Sequence, residues 1–473
     1  MINVNTNIPS MVAARILNTQ TNRLNRSLIR LGTGLRINTG RDDPAGLIAS
    51  ELLRTERTAI GAAMYNVSRA INVVSSAEGG LGEISKLLTD IEDLIDKSAN
   101  EAGLSDDERN ANQLEIDAIL DSINRIATST EFQGRKLLNG ELDYTTSNIS
   151  TTDFDDVRIN AAKITNNGYR SVTVAVTGSA QLAMLTYSSA ATGAGTTTLE
   201  IAGRYGTETL SFASGTTIAN VETAVNMSKE MTGVSAVQTG ASELKFYSTN
   251  YGSSQFVSVK AVEGTFTVTG GDAGSYKDEG EDATVQVNGV MAVSDGLSAR
   301  LQTGVLALEL ELSPTFGTTL GTSTFEVTGG GADFMISPTV SLSGLASLGI
   351  KAVSTSSLGK GTVGYVSSLG SGQANSVASE NYAIAQRIIR VAQTLVSELR
   401  GRLGAFHKDT LETTNNALAI TLENITAAEA NIRETDFAEE TSTMTRQQIL
   451  VQSGINVLRI ANAQPQAVLA LLG

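Results

Sequence analysis

At both ends of this chain apolar residues return every seven positions, a pattern that few folds satisfy. Ile60, Val67, Val74, Leu81, Leu88 and Ile95 form one such stripe, with Met64, Ile71, Ile84 and Ile91 beside it. A sustained heptad stripe requires a helix laid lengthwise against another helix. At 1.5 Å per residue, about 40 residues make a rod of roughly 60 Å. Far along the chain Leu411, Leu418, Ile425 and Ile432 repeat the spacing, preceded by a stripe of Ile384, Val391, Leu395 and Leu399. The extreme ends are apolar too: Leu24, Leu28, Leu31 and Leu35 near the start, Ile455, Leu458, Leu469 and Leu472 near the finish. Burying one such side chain is worth about 1.5–3 kcal/mol, so each stripe needs a partner, and the nearest candidate for each arm is the other. Local signals punctuate the first arm. Gly40 suits a helix C′ position, Asp43-Pro44 a helix start, and Ser105-x-x-Glu108 a capping box.

The middle reads differently. Sixteen of the 21 Phe and Tyr residues and 30 of the 45 Gly lie between 141 and 375, whereas 23 of the 34 Lys and Arg lie in the flanks. Segments 171–177, 197–202, 256–261 and 284–288 alternate apolar and polar residues between Gly-rich turns, which predicts strands, with one short helix near Ile218 to Lys229. The expected class is α+β: long antiparallel coiled-coil helical arms from both termini, with a β-rich region inserted between them.

Composition narrows the chemistry. One His, no Cys and no Trp exclude disulfides, thiol nucleophiles and Cys/His zinc sites, and leave a His-based triad improbable. No catalytic, cofactor-binding or metal-ligating set is expected. A net charge of −15 argues against nucleic acid or an anionic membrane as partner of the whole surface. Charge is nonetheless uneven: residues 1–41 hold six Arg and no acid, and residues 441–473 two Arg and no acid. No apolar run reaches membrane-spanning length, and the Asn/Thr-rich start carries no cleavable signal pattern. Asp278-Glu-Gly-Glu-Asp282 clusters carboxylates without calcium-loop spacing, Gly359-Lys-Gly-Thr362 lacks the frame of a phosphate loop, and His407 has no zinc-binding helix motif around it.

Several segments are more specific. Arg30-Leu-Gly-Thr-Gly-Leu-Arg-Ile-Asn-Thr-Gly-Arg-Asp-Asp-Pro-Ala-Gly-Leu47, together with Ile2 to Asn7, Ala77 to Leu81 and Thr130 to Leu138, resembles the N-terminal block of bacterial flagellins. Leu403 to Ala405, Ile432 to Glu440, Gln448 to Leu450 and Ala461 to Leu472 resemble their C-terminal block. The resemblance covers both arms, in order and at opposite ends.

It implies a structural subunit of the extracellular bacterial flagellar filament, polymerising through coiled-coil packing of its terminal helices. Residues 1–44 and 436–473 would pair as an inner-tube domain ordered on assembly, with Leu24, Leu28, Leu31, Leu35, Ile455, Leu458, Leu469 and Leu472 as assembly residues. Residues 45–165 and 324–435 would form a helical shaft with a β-hairpin, held by Ile60, Val67, Val74, Leu81, Leu88, Ile95, Leu411, Leu418, Ile425 and Ile432. Residues 166–323 would be the surface-exposed outer region. Implied partners are further copies of the chain, an export chaperone at the C-terminal arm, the flagellar export channel, and filament-cap and hook-junction proteins; neither nucleic acid nor membrane is implied. One departure stands out. Where many flagellins carry Gln-Arg-x-Arg-Glu-Leu, a contact for a vertebrate Toll-like receptor, this chain has Thr89-Asp-Ile-Glu-Asp-Leu94. Asp90 and Glu92 replace both Arg, while Leu94 and Glu115 match. Reversed charge removes the donors of such a contact and adds repulsion, or the acids form a solvated or filament-facing stripe. The alternatives to a filament subunit are a flagellin-like hook–filament junction protein and a secreted adhesin using the β-rich insert.

Overall fold

The computed structural model describes residues 6–100, 103–164, 168–271, 276–361 and 363–471, with side chains to Gln464 in the last helix. Nine helices are seen among these residues: α1 (Ile8–Thr33), α2 (Pro44–Ser98), α3 (Asp106–Ser129), α4 (Ile218–Met227), α5 (Lys229–Thr232), α6 (Pro314–Gly317), α7 (Tyr382–Ala405), α8 (Thr413–Arg433) and α9 (Phe437–Leu471). Helices fill both ends and strands the middle, in the α+β order expected. The chain forms two compact units. One comprises residues 1–69, 335–344 and 409–473, the other residues 70–334 and 345–408.

Helix α2 runs unbroken for 55 residues, about 80 Å. It starts at Pro44, where the Asp43 side chain accepts from Gly46 N at 2.9 Å, and the chain holds no further proline until Pro314. Its heptad residues Ile60, Val67, Val74, Leu81, Leu88 and Ile95 are all buried to 1% exposure or less. Helix α3 opens on the capping box: the Ser105 side chain accepts from Glu108 N while the Glu108 carboxylate accepts from Ser105 N. Helix α1 stops sooner than Gly40 suggests. Gly34 adopts φ 72°, where only glycine is comfortable, and its N–H closes onto Arg30 O at 2.8 Å. Gly40 falls in the turns that follow.

The middle holds two separate hydrophobic cores. The first lies between a five-stranded antiparallel sheet (Val290–Met291, Thr284–Val287, Arg170–Gly178, Gly321–Gly330, Tyr144–Ser147 in spatial order) and a four-stranded one (Val293–Asp295, Ser298–Gln302, Leu306–Leu312, Phe154–Ala162). Val172, Val174 and Val176 point into it, as the alternating sequence requires, beside Phe154, Phe316 and Phe325. The second core joins the sheet of Val268–Thr269, Met184–Tyr187, Glu243–Ser248 and Val234–Gly240 to that of Lys277–Glu279, Phe256–Glu263, Thr197–Gly203 and Thr207–Phe212, with Ile218, Val221 and Val225 of α4 buried among them.

From Tyr382 to Arg433 the chain stays helical through a π-helical stretch, Phe406–Glu412. The stripe on α7 differs from the one read by spacing. Ile384 is 36% exposed, and Ala385, Ile388, Ile389, Ala392, Val396, Leu399 and Leu403 are the buried residues.

Candidate functional site

In the first unit α1 and α9 pack antiparallel. Asn7 Nδ2 donates to Ala461 O at 2.9 Å, Ser10 Oγ to Asn462 Oδ1 at 2.6 Å, and Arg30 pairs with Glu440 at 3.5 Å near the opposite end. Midway, Gly454 passes close enough to Leu17 that an added Cβ would stand 3.2 Å from its side chain. The pair nevertheless encloses little. Of its described side chains only Ala13, Ser27 and Ala461 are buried. Ile8, Met11, Ile16, Leu28 and Ile29 of α1 and Phe437, Ile449, Ile455, Val457 and Ile460 of α9 are among the exposed large apolar residues. Of the residues singled out from sequence, Leu24, Leu31 and Leu458 are half-buried, Leu28 and Ile455 exposed. Leu472 lies outside the described residues, and of Leu469 only the helical backbone is described.

Leu35 is not in α1. It forms an isolated antiparallel bridge with Glu434, where the second arm also leaves its helix. Arg36 N donates to Arg433 O at 2.7 Å and Thr435 N to Gly34 O at 3.0 Å, while Arg36 Nη2 reaches Ile432 O at 2.6 Å. Beyond this joint Arg433 pairs with Glu51 at 3.2 Å and Arg57 with Glu429 at 2.9 Å, and Leu411, Leu418 and Ile425 are buried with Ile432 half-buried.

In the second unit the acids of α2 are not uniformly solvated. Glu92 pairs with Arg390 of α7 at 3.1 Å and accepts from Gln393 Nε2 at 2.9 Å, and Asp96 accepts from Gln386 Nε2 at 2.8 Å. Leu94 is buried, and Asp90 and Glu115 are exposed. The segment therefore carries an acidic outer edge and an inner edge tied to α7.

The acidic loop at 278–282 is occupied internally. Asp278 accepts from Met184 N at 2.7 Å, Glu281 from Gln181 Nε2 at 2.6 Å, and Asp282 from Ser253 N at 2.9 Å and Gly296 N at 2.7 Å. Burial pushes the Asp282 carboxyl up, but these donors and the Ser253 hydroxyl outweigh it and hold the group below 3.8. Gly296, at φ 61°, sits so close to Tyr251 O that a Cβ would approach within 2.5 Å. Lys360 of the rejected phosphate-loop motif pairs with Glu311 at 3.0 Å. Nearby, Arg158 Nε donates to Asp156 at 2.6 Å, Lys351 stands 3.8 Å from Asp156, and Arg402 donates to Asn160, around a cavity of about 510 Å³. Desolvation pulls Lys351 and Arg402 down and pushes Asp143 up. Among the described residues no group of three or more His, Cys, Asp and Glu could hold a metal ion, and no helix is long and apolar enough to cross a membrane.

Two family models match where the helical arms lie: the bacterial flagellin N-terminal helical region over residues 4–143, and the bacterial flagellin C-terminal helical region over residues 386–472. Both helical arms are homologous to those of bacterial flagellins. Its relatives align end to end. Polar flagellin F of Vibrio parahaemolyticus is 28% identical over 474 residues, covering 100% of both chains. Flagellin E of Vibrio cholerae is 28% identical over 470 residues, covering 99% of this chain and 98% of that one. Among solved structures, the flagellar junction protein FlgL from Legionella pneumophila is 13% identical, with 81% of this chain and 99% of that one covered and a TM-score of 0.29. What the sequence did not disclose is the α2–α7 ion pairing, whose partners lie some three hundred positions apart.

Proposed function

We propose that the protein is a structural subunit of the bacterial flagellar filament, working outside the cell by polymerising rather than by catalysis. The observation that carries this reading is the α1–α9 pair, which leaves large apolar residues exposed on both helices. Each exposed side chain stands to gain about 1.5–3 kcal/mol on burial. A face of that size on two parallel-sided helices fits further copies of the chain, joined by open heterologous contacts that extend into a helical polymer. Residues 1–44 and 436–473 are then the assembling arms, with Leu24, Leu28, Leu31, Leu35, Ile455, Leu458, Leu469 and Leu472 contributing, residues 45–165 and 324–435 the shaft, and residues 166–323 the outer region. A cap protein and a hook-junction protein adjoin the polymer, an export channel delivers the chain, and a chaperone covers the C-terminal arm before export.

The test is electron microscopy of the full-length chain and a 45–435 fragment after seeding. Long tubes from the full chain alone are expected. Regular filaments from the fragment would refute terminal-helix assembly, and short caps from the intact chain would point to a junction protein. The acids at Asp90 and Glu92 support weak activation of the Toll-like receptor that senses flagellin, since a receptor site selected for Arg meets two carboxylates, one already bound to Arg390. A reporter response equal to that of an Arg-bearing flagellin would refute this.

A further inference from the structure

The turn between the strands Thr197–Gly203 and Thr207–Phe212 carries Tyr205, and the chain holds it firmly. Tyr205 N donates to Thr232 O at 3.3 Å, and its hydroxyl accepts from Asn250 Nδ2 at 2.9 Å. Glycine lets the pieces close up. A Cβ at Gly203 would stand 2.5 Å from Thr232 O, and one at Gly233, where φ is 76°, would stand 2.9 Å from the Tyr205 ring. The ring thus rests on bare backbone on one side, yet the residue stays 57% exposed. It lines a cleft of about 1010 Å³ whose other walls come from the strands around Asp295 and Glu309 and from α7. Every lining residue falls between 156 and 398, within the second unit, so the cleft uses no part of the terminal helices.

The cations on its walls are already matched. Arg158, Arg300, Lys360, Arg387 and Arg390 each reach a carboxylate within 3.4 Å. Two acids are left over: Asp295, which accepts only from Ser254 Oγ at 3.3 Å, and Glu398, whose carboxylate makes no hydrogen bond or ion pair among the described residues. An anion would have to break the pairs, and a cation would leave the guanidinium donors unused. A hydroxyl suits both members of a pair, since it accepts from the one and donates to the other. We propose that this cleft binds a short neutral oligosaccharide, with the C–H face of one pyranose ring on Tyr205 and its hydroxyls shared among the paired charges. The electron-rich face of the phenol ring attracts such C–H groups, and a ring already fixed in place loses little freedom on binding. Between the charges, Val391 and Leu395 of α7 supply apolar area for the rest of the sugar. Binding requires one copy of the chain, so it is independent of assembly into a filament.

Saturation-transfer NMR of the full-length monomer tests this with cellotriose, chitotriose and maltotriose, beside spermidine and a sulfated heparin oligosaccharide. At least one of the neutral sugars is expected to bind with a Kd of about 1 mM or tighter. Tyr205→Ala is expected to weaken it about tenfold, and Tyr205→Phe, which keeps the ring, to hold it within about threefold. Asp295→Asn with Glu398→Gln removes both spare charges and is likewise expected to stay within about threefold. The chain contains no Trp, so the fluorescence of Tyr205→Trp reports on this position alone and is expected to shift to the blue as sugar covers the indole. Absence of binding by all three sugars at about 10 mM would overturn the proposal. So would undiminished binding by Tyr205→Ala. Tighter binding of spermidine, lost in the Asp295 and Glu398 double variant, or tighter binding of the heparin fragment would also overturn it, giving the cleft to a cation or an anion.

Discussion

Helix α2 and the α1–α9 pair are built from the same heptad material and meet opposite fates. Along α2 every seventh residue from Ile60 to Ile95 is sealed inside the chain, whereas the terminal pair seals Ala13, Ser27 and Ala461 and leaves Met11, Ile449 and Ile460 in water. The spacing of apolar residues thus says that a helix will be packed, not by what. In α2 the partners come from this chain, so the stripe is a folding device. In the arms two helices alone cannot surround an apolar face, so large apolar side chains stay exposed.

The sharpest way to break that contrast is to make the same kind of change in each place. Leu81→Ala is expected to lower unfolding free energy by about 2–5 kcal/mol, read by chemical denaturation, because it opens a cavity in a closed stripe. Ile449→Ser with Ile460→Ser is expected to move that stability by no more than about 0.5 kcal/mol and to suppress polymerisation. Equal destabilisation by both would erase the distinction. A finer test concerns the α2–α7 contact. Glu92→Ala is expected to cost about 1 kcal/mol, and a double-mutant cycle with Arg390→Ala should recover most of that as coupling. Zero coupling would mean that the pair only decorates the surface. Smallest is the Asp282 link in the β region. Its carboxyl is held below 3.8 in the folded chain, so its contribution is present above pH 3.8 and fades as pH falls through the folded value. Asp282→Asn should be less stable than the parent at pH 6, with the gap closing below pH 3.8; a pH-independent gap would assign the effect to geometry instead.

Helix positions in the arms and strand positions in the middle were legible because each depends on a local period. Ser105 and Glu108 were legible for the same reason, since a capping box closes within one turn. The end of α1 was misread because Gly34 and Gly40 both satisfy the composition of a C-terminus, and the pairing of Leu35 with Glu434 selects the first. On α7 the spacing follows Ile384, Val391, Leu395 and Leu399, but the buried face is Ala385, Ile388, Ile389, Ala392, Val396, Leu399 and Leu403, so only Leu399 is common to both. The π-helical turn did leave a trace. Leu403 and Leu411 are both buried and stand eight residues apart, one more than a heptad, and a wider turn absorbs the extra residue without breaking the helix. The tie from Glu92 to Arg390 had no trace, because a charge does not name its partner at long range.

The bridge between Leu35 and Glu434 has a mechanical consequence. Residues 34–36 and 433–435 run antiparallel, each in tension when its terminal helix is pulled, and the two backbone hydrogen bonds across them carry only the difference between the two tensions. A load applied to α1 alone is therefore shared with the strand leading from α9 before it reaches Ile37. The splice lets two thin covalent connections behave as one cable, at the point where neither has a helix to stiffen it.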